Sequence, residues 1–190
     1  MEIVNILKNA CVFLQKDELL EITEFGGEED STEKQQKEVS MLLRCLNLVY
    51  NEIATAYIPL IATETISTSN GEVKLDNFSK KVLDIRRIED KYRFRVNYKL
   101  YPDKIFINQG GEYKITYSYQ PEELESLEDD MESFSEKLTE RVISYGVAME
   151  YSFISGLHDD ASVWEKRFKD GLLIATRKKS GMRLPSRRWN

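Results

Sequence analysis

The sequence predicts an α+β fold: a four-helix (two plus two) body with an inserted antiparallel β meander or small sandwich of about six strands. Three observations predict it. Apolar residues recur at threes and fours over roughly 1–56 and 133–179, the spacing of a one-sided helix. Residues 57–121 instead alternate at period two between tight-turn dipeptides. Pro59 and Pro121 stand at the two changes of period. The domain organisation follows as 1–56 and 122–179 for the helical body, 57–121 for the inserted β domain, and 180–190 for an extended basic tail.

The first helix is read from Ile3, Ile6, Leu7, Ala10, Phe13 and Leu14. A short apolar stretch (Leu19, Leu20, Ile22) and an acidic glycine loop at 26–30 follow. Thr32 with Gln35 has the spacing of a capping box, which would satisfy backbone N–H groups at the start of a second helix. Its stripe runs through Val39, Leu42, Leu46, Val49, Ile53 and Ala56; helical from 32 to 57, it would span about 39 Å. Pro59 ends it.

Strands are expected at 60–67, 72–75, 82–89, 92–100, 104–108 and 113–119, with turns at Asn70-Gly71, Asp90-Lys91, Pro102-Asp103 and Gly110-Gly111. The alternation in 92–100 puts Tyr92, Phe94, Val96, Tyr98 and Leu100 on a core face and Arg93, Arg95, Asn97 and Lys99 in water. Tyr113, Tyr117 and Tyr119 read as core. Residues 122–132 form a connector with seven carboxylates and no basic residue. Ser133 with Glu136 repeats the capping-box spacing and would start a third helix. That helix has two apolar faces, one through Phe134, Leu138, Val142, Tyr145, Met149 and Phe153 and one through Ile143, Val147, Tyr151 and Ile154. It is therefore expected at the centre of the body. Gly156 ends it, and the last helix starts near Asp159 or Asp160, with Ala161, Trp164, Phe168, Leu172 and Ala175 inward.

The chain has 190 residues, 41% of them hydrophobic, and a net charge of −6. Its apolar runs are too short to span a bilayer, and residues 1–16 lack a leader pattern, so a cytoplasmic origin is expected. Cys11 and Cys45 sit on apolar helix faces as small hydrophobes. The charge is segregated: residues 169–190 hold seven basic residues against Asp170 alone, a balance of +6, leaving −12 for residues 1–168. An acidic body repels nucleic acid, while a basic tail seeks an acidic surface.

Residue sets for catalysis are sparse. His158 is the one histidine, which closes off most histidine-dependent mechanisms. There is no phosphate loop, nucleophile elbow or zinc spacing in the sequence, and no cofactor is expected. A carboxylate-metal hydrolase would draw on Asp129, Asp130 and Glu132 with Asp159 and Asp160, although consecutive acidic residues in a linker diverge. A nucleic-acid-binding module would use Arg93, Arg95 and the tail. The tail residues Arg177, Lys178, Lys179, Arg183, Arg187, Arg188 and Trp189 read better as a docking segment, since Arg and Trp dominate interface energies.

Several stretches, taken in order, resemble the head–tail connector (adaptor) proteins of tailed bacteriophages. They are a helix pair ending in Tyr57-Ile58-Pro59-Leu60, a β insert closing on Tyr117-Ser118-Tyr119-Gln120-Pro121, a helix with Ala148-Met149-Glu150-Tyr151, one with Trp164-Glu165-Lys166-Arg167-Phe168, and a basic tail. The resemblance implies a non-enzymatic structural subunit of the virion neck, assembled in the bacterial host's cytoplasm. It implies a homo-oligomeric ring, typically a dodecamer, around the channel through which genomic DNA passes without sequence-specific binding. It further implies that the carboxy-terminal segment reaches the portal protein and that a tail-completion protein binds the opposite side.

Overall fold

The computed structural model describes residues 2–20 and 33–177. Among these, four α-helices and two three-stranded antiparallel sheets form a mixed α+β structure. Helix α1 (Ile3–Phe13) buries Ile3, Ile6, Leu7, Ala10 and Cys11. A 3₁₀ turn at Asp17–Leu19 follows, with Leu19 buried. Helix α2 (Glu33–Glu52) buries Leu42, Cys45, Leu46, Val49 and Tyr50. It widens into a π-helical turn, Ile53–Tyr57, closed where the Ile58 N–H donates to the Ile53 carbonyl at 2.8 Å. The expected end near residue 57 thus holds, whereas Thr32 of the first capping box lies outside the described residues.

Helix α3 (Glu140–Ile154) packs against α1, α2 and the last helix, α4 (His158–Thr176). Its two apolar faces explain this central place: Ile143, Val147, Ala148, Met149 and Tyr151 are all buried. Small residues set how closely the neighbours come. A Cβ on Gly146 would lie 2.8 Å from Val49 of α2 and 3.0 Å from Phe168 of α4. The buried Ser144 hydroxyl donates to the Ile6 carbonyl of α1 at 2.9 Å. Cys11 and Cys45 are free, and burial pushes their thiols up to about 11 and about 12. No helix among the described residues is long and apolar enough to cross a membrane.

Two expectations for this half of the chain are corrected. The third helix begins at Glu140, not at Ser133, and Thr139 caps it without a side-chain hydrogen bond. The reason lies in the preceding segment, which spreads its apolar residues along the body: Leu124, Met131 and Leu138 are buried in succession, and Phe134 meets Tyr50 edge-on at 5.3 Å. A helix from residue 133 would break that sequence of contacts. At the other end, Phe153 and Ile154 are exposed instead of inward, and Phe153 lies beside the His158 ring.

The β insert has six strands, but they do not run as a meander. One sheet has the order β1 (Leu60–Thr68), β6 (Gly111–Tyr119), β3 (Val82–Asp90); the other has β2 (Glu72–Lys74), β5 (Lys104–Ile107), β4 (Tyr98–Leu100). Only β4 and β5 form a sequence-adjacent pair, around the expected Pro102-Asp103 turn. Asn70-Gly71 and Gly110-Gly111 are turns as expected, yet each passes the chain from one sheet to the other. The Gly71 carbonyl, on a residue with φ +80°, accepts the Ile107 N–H at 2.7 Å, and a Cβ on Gly110 would fall 2.2 Å from the Ser69 carbonyl oxygen. Tyr113, Tyr117 and Tyr119 are core residues, with Phe78 packed edge-on to Tyr117 at 4.7 Å.

Gly146→Val places two methyl groups where α2 and α4 already meet α3. The expected loss is about 1–3 kcal/mol, from overpacking, read as a lower urea midpoint with an unchanged slope.

Candidate functional site: an acidic cleft and a basic aromatic tip

Residues 122–132 are not a free linker. Asn47 of α2 holds Leu124 at both backbone groups, donating from its amide to the carbonyl and accepting from the N–H, each at 2.8 Å. One turn on, the Tyr50 phenol oxygen accepts the Glu132 N–H at 3.1 Å. These two points pin the connector to α2 and turn its carboxylates outward. The result is a cleft of about 440 Å³ lined by Tyr50, Leu124, Glu122, Glu123, Glu125, Asp129, Asp130 and Glu132.

Of the candidate metal ligands, Asp129, Asp130 and Glu132 all line this cleft, but Asp129 and Glu132 are committed to other partners. Asp129 serves its own loop, accepting the Glu125 and Ser126 N–H groups at 2.6 and 2.8 Å, and these bonds hold its carboxyl below the usual range. Glu132 accepts from the Lys80 ammonium and from the Tyr119 hydroxyl. Partial burial pushes its carboxyl up, but those two bonds outweigh burial and leave it lowered. Asp159 and Asp160 are exposed in the first turn of α4, where the helix dipole favours them. Among the described residues, no group of three or more His, Cys, Asp or Glu side chains could hold a metal ion.

The second surface lies in the stretch that sequence alternation misassigned. Residues 92–97 are not part of a strand; β4 covers only Tyr98–Leu100, and Tyr92 and Phe94 are 67% and 70% exposed instead of facing a core. The reason is the end of the sheet. Asp90, the last residue of β3, pairs with Tyr113 near the start of β6, so a hairpin beyond it has nothing beneath. The turn is tightly built. The Asp90 carbonyl accepts the Arg93 N–H at 2.9 Å, and its carboxylate accepts the Tyr92 and Phe94 N–H groups, both at 2.9 Å. Arg93 takes φ +67°, a left-handed position where glycine is usual in three-residue hairpins. Val96 returns beside the strand, its N–H donating to Ile88. Lys91 lies 4.9 Å from the Tyr92 ring centre, and Arg93 and Arg95 are exposed as expected. Among the described residues none of these three cations forms an ion pair.

No protein-family model and no curated protein matches this chain.

A third feature escaped sequence reasoning. Phe13, Tyr145 and Trp164 stack at 5.0–5.8 Å, and Arg141 and Arg167 lie 5.6 and 5.9 Å from the Tyr145 ring centre. The available signal was the helical spacing of Arg141 to Tyr145 and of Trp164 to Arg167. Of the docking-segment residues, Arg177 is exposed just past α4 and its carbonyl accepts the Lys137 ammonium at 3.3 Å. Lys178, Lys179, Arg183, Arg187, Arg188 and Trp189 lie outside the described residues.

Two outcomes are expected. Arg93→Gly relieves the left-handed strain and should raise stability by about 1 kcal/mol, seen as a higher urea midpoint; a drop would show the conformation to be unstrained. Glu132 has a folded pKa below its unfolded value of about 4.3, so its stabilisation is complete above that pH and fades as pH falls through the folded pKa. Glu132→Gln should therefore cost about 1 kcal/mol at neutral pH. In urea titrations across pH, the gap from wild type should close towards acid.

Proposed function

We propose that this chain is a structural, non-enzymatic subunit of a bacteriophage head–tail connector ring. In this reading it docks on the portal, joins capsid to tail, and forms part of the channel through which DNA leaves. The observation that carries the proposal is the order of parts: a helix pair, a β insert, a second helix pair and a basic tail. The same order of parts carries the resemblance to connector proteins.

Two physical features support it. The body is acidic, and an acidic channel wall lets DNA slide instead of stick. The surface also keeps large apolar side chains in water at separate places. Val163, Leu173 and Ile174 are exposed on α4, and Tyr92 and Phe94 at the hairpin tip. Apolar side chains left in water on different elements suit a subunit that meets more than one neighbour. The basic residues from Arg177 onward would contact the portal, as a short Arg- and Trp-bearing segment ordered by its partner.

The test is co-migration on size exclusion with the portal ring encoded in the same genome, using the full chain and one lacking residues 178–190. The full chain should travel with the ring and the shortened chain should not. A genome without a portal, or a full chain that ignores the ring, overturns the connector reading. Equal binding by both forms overturns the role of the tail.

A further inference from the structure

We propose that the hairpin tip at residues 91–95 of one copy docks into the acidic cleft of a second copy of this chain, giving head-to-tail self-association. The tip has the marks of a contact built for a partner. Tyr92 and Phe94 are among the most exposed large apolar side chains described, and they are presented by a turn that Asp90 holds with both its carboxylate and its carbonyl. Arg93 occupies a left-handed conformation that a non-glycine residue adopts at a cost. Such strain in an exposed turn is a common mark of a functional contact.

Charge and shape choose the occupant. Lys91, Arg93 and Arg95 alternate with the two rings along the turn, so the complementary surface is acidic with some apolar area. The cleft of this same chain is predominantly acidic, with six carboxylates (Glu122, Glu123, Glu125, Asp129, Asp130 and Glu132) beside Tyr50 and Leu124. At about 440 Å³ it has room for an aromatic side chain.

The pairing cannot occur within one molecule. The cleft is tied to the Tyr119 end of the sheet, because Tyr119 donates to Glu132 and pairs with Val82. The tip extends from the opposite end, beyond the Asp90–Tyr113 pair. The six residue steps from Tyr113 to Tyr119 separate the two by about 20 Å at the usual rise of a strand. Donor and acceptor surfaces at opposite ends of a rigid sheet make a heterologous contact, which closes into a ring or grows into a filament depending on the rotation per subunit. This inference rests on the charge and shape of the chain and not on the connector reading. A protein that self-associates yet ignores a portal would separate the two.

The experiment is sedimentation equilibrium and light scattering of the full chain over a range of concentration and salt. The mass should rise with concentration, and the rise should weaken with salt. Tyr92→Ser with Phe94→Ser should weaken association at least about tenfold. Arg93→Glu with Arg95→Glu should be monomeric, and so should Glu123→Lys with Glu125→Lys. Mixing these two charge-reversed proteins should restore association, because a native tip then meets a native cleft. All the altered side chains are exposed, and circular dichroism checks that each variant folds. A wild-type chain that stays monomeric at every concentration overturns the proposal, as do variants that associate like wild type or a mixture that remains monomeric. A monomer that binds a single-stranded oligonucleotide through Tyr92 and Phe94 also overturns it, by making the tip a nucleic-acid contact.

Discussion

The close approach of both α2 and α4 to α3 at Gly146 is the constraint on which the rest of the structure depends. Val49 and Phe168 occupy the space where a side chain would stand. Close contact there lets α3 bury residues on two faces, and the Ser144 bond to Ile6 adds α1 on another side. A helix wrapped in this way cannot also present a solvated face at its middle. The charged residues of the body are therefore pushed to the outer helices, the connector and the β insert.

The connector shows how that displacement creates a surface with chemical character. Asn47 and Tyr50 fix its backbone, and Leu124 and Met131 turn inward. The carboxylates between them can only face outward, and their mutual repulsion is tolerated because water screens it. Glu132 differs because it alone is drawn back to the β insert, where Lys80 and Tyr119 hold it. That set of contacts links the helical body to the sheet. A cleft at one end of the sheet and a cationic aromatic tip at the other give the molecule two unlike poles.

The sequence made the inventory of elements legible and left their partners obscure, for reasons visible in particular residues. The periodicities of α1, α2 and α4 and the tyrosines of β6 report burial directly, and burial followed except at Ala56, which lies exposed in the π-helical turn. Asn70-Gly71 reports a backbone conformation, and the turn is present. Nothing in that dipeptide says that the next strand joins another sheet, since strand partners are chosen by side chains far away in the chain. Alternation from Tyr92 to Leu100 was right for Val96 and Tyr98, which pack against the core, and wrong for Tyr92, Phe94 and Leu100, because period two describes any extended backbone, including one with no core beneath it. Ser133 and Glu136 have capping chemistry, but Phe134 and Leu138 gain more by packing singly against the body than by joining a helix. The two surfaces were half legible. Charge in 122–132 and at Arg93 and Arg95 was plain, whereas the clamp by Asn47 and Tyr50 joins residues some eighty apart and the left-handed Arg93 is a backbone state that its side chain does not announce.

The pairing of β1 with β6 has a consequence for how the chain reaches its fold. Leu60 lies opposite Tyr119, so the two strands that leave and re-enter the helical body do so side by side. Bringing α2 and α3 together across an unstructured loop as long as the insert would cost about 3–4 kcal/mol in closure entropy. When β1 and β6 pair, that cost is met inside the insert, and the helices on either side behave as near neighbours along the chain. The insert is thus a clasp in the folding sense: a long-range helical core inherits the short effective contact order of a hairpin-linked bundle.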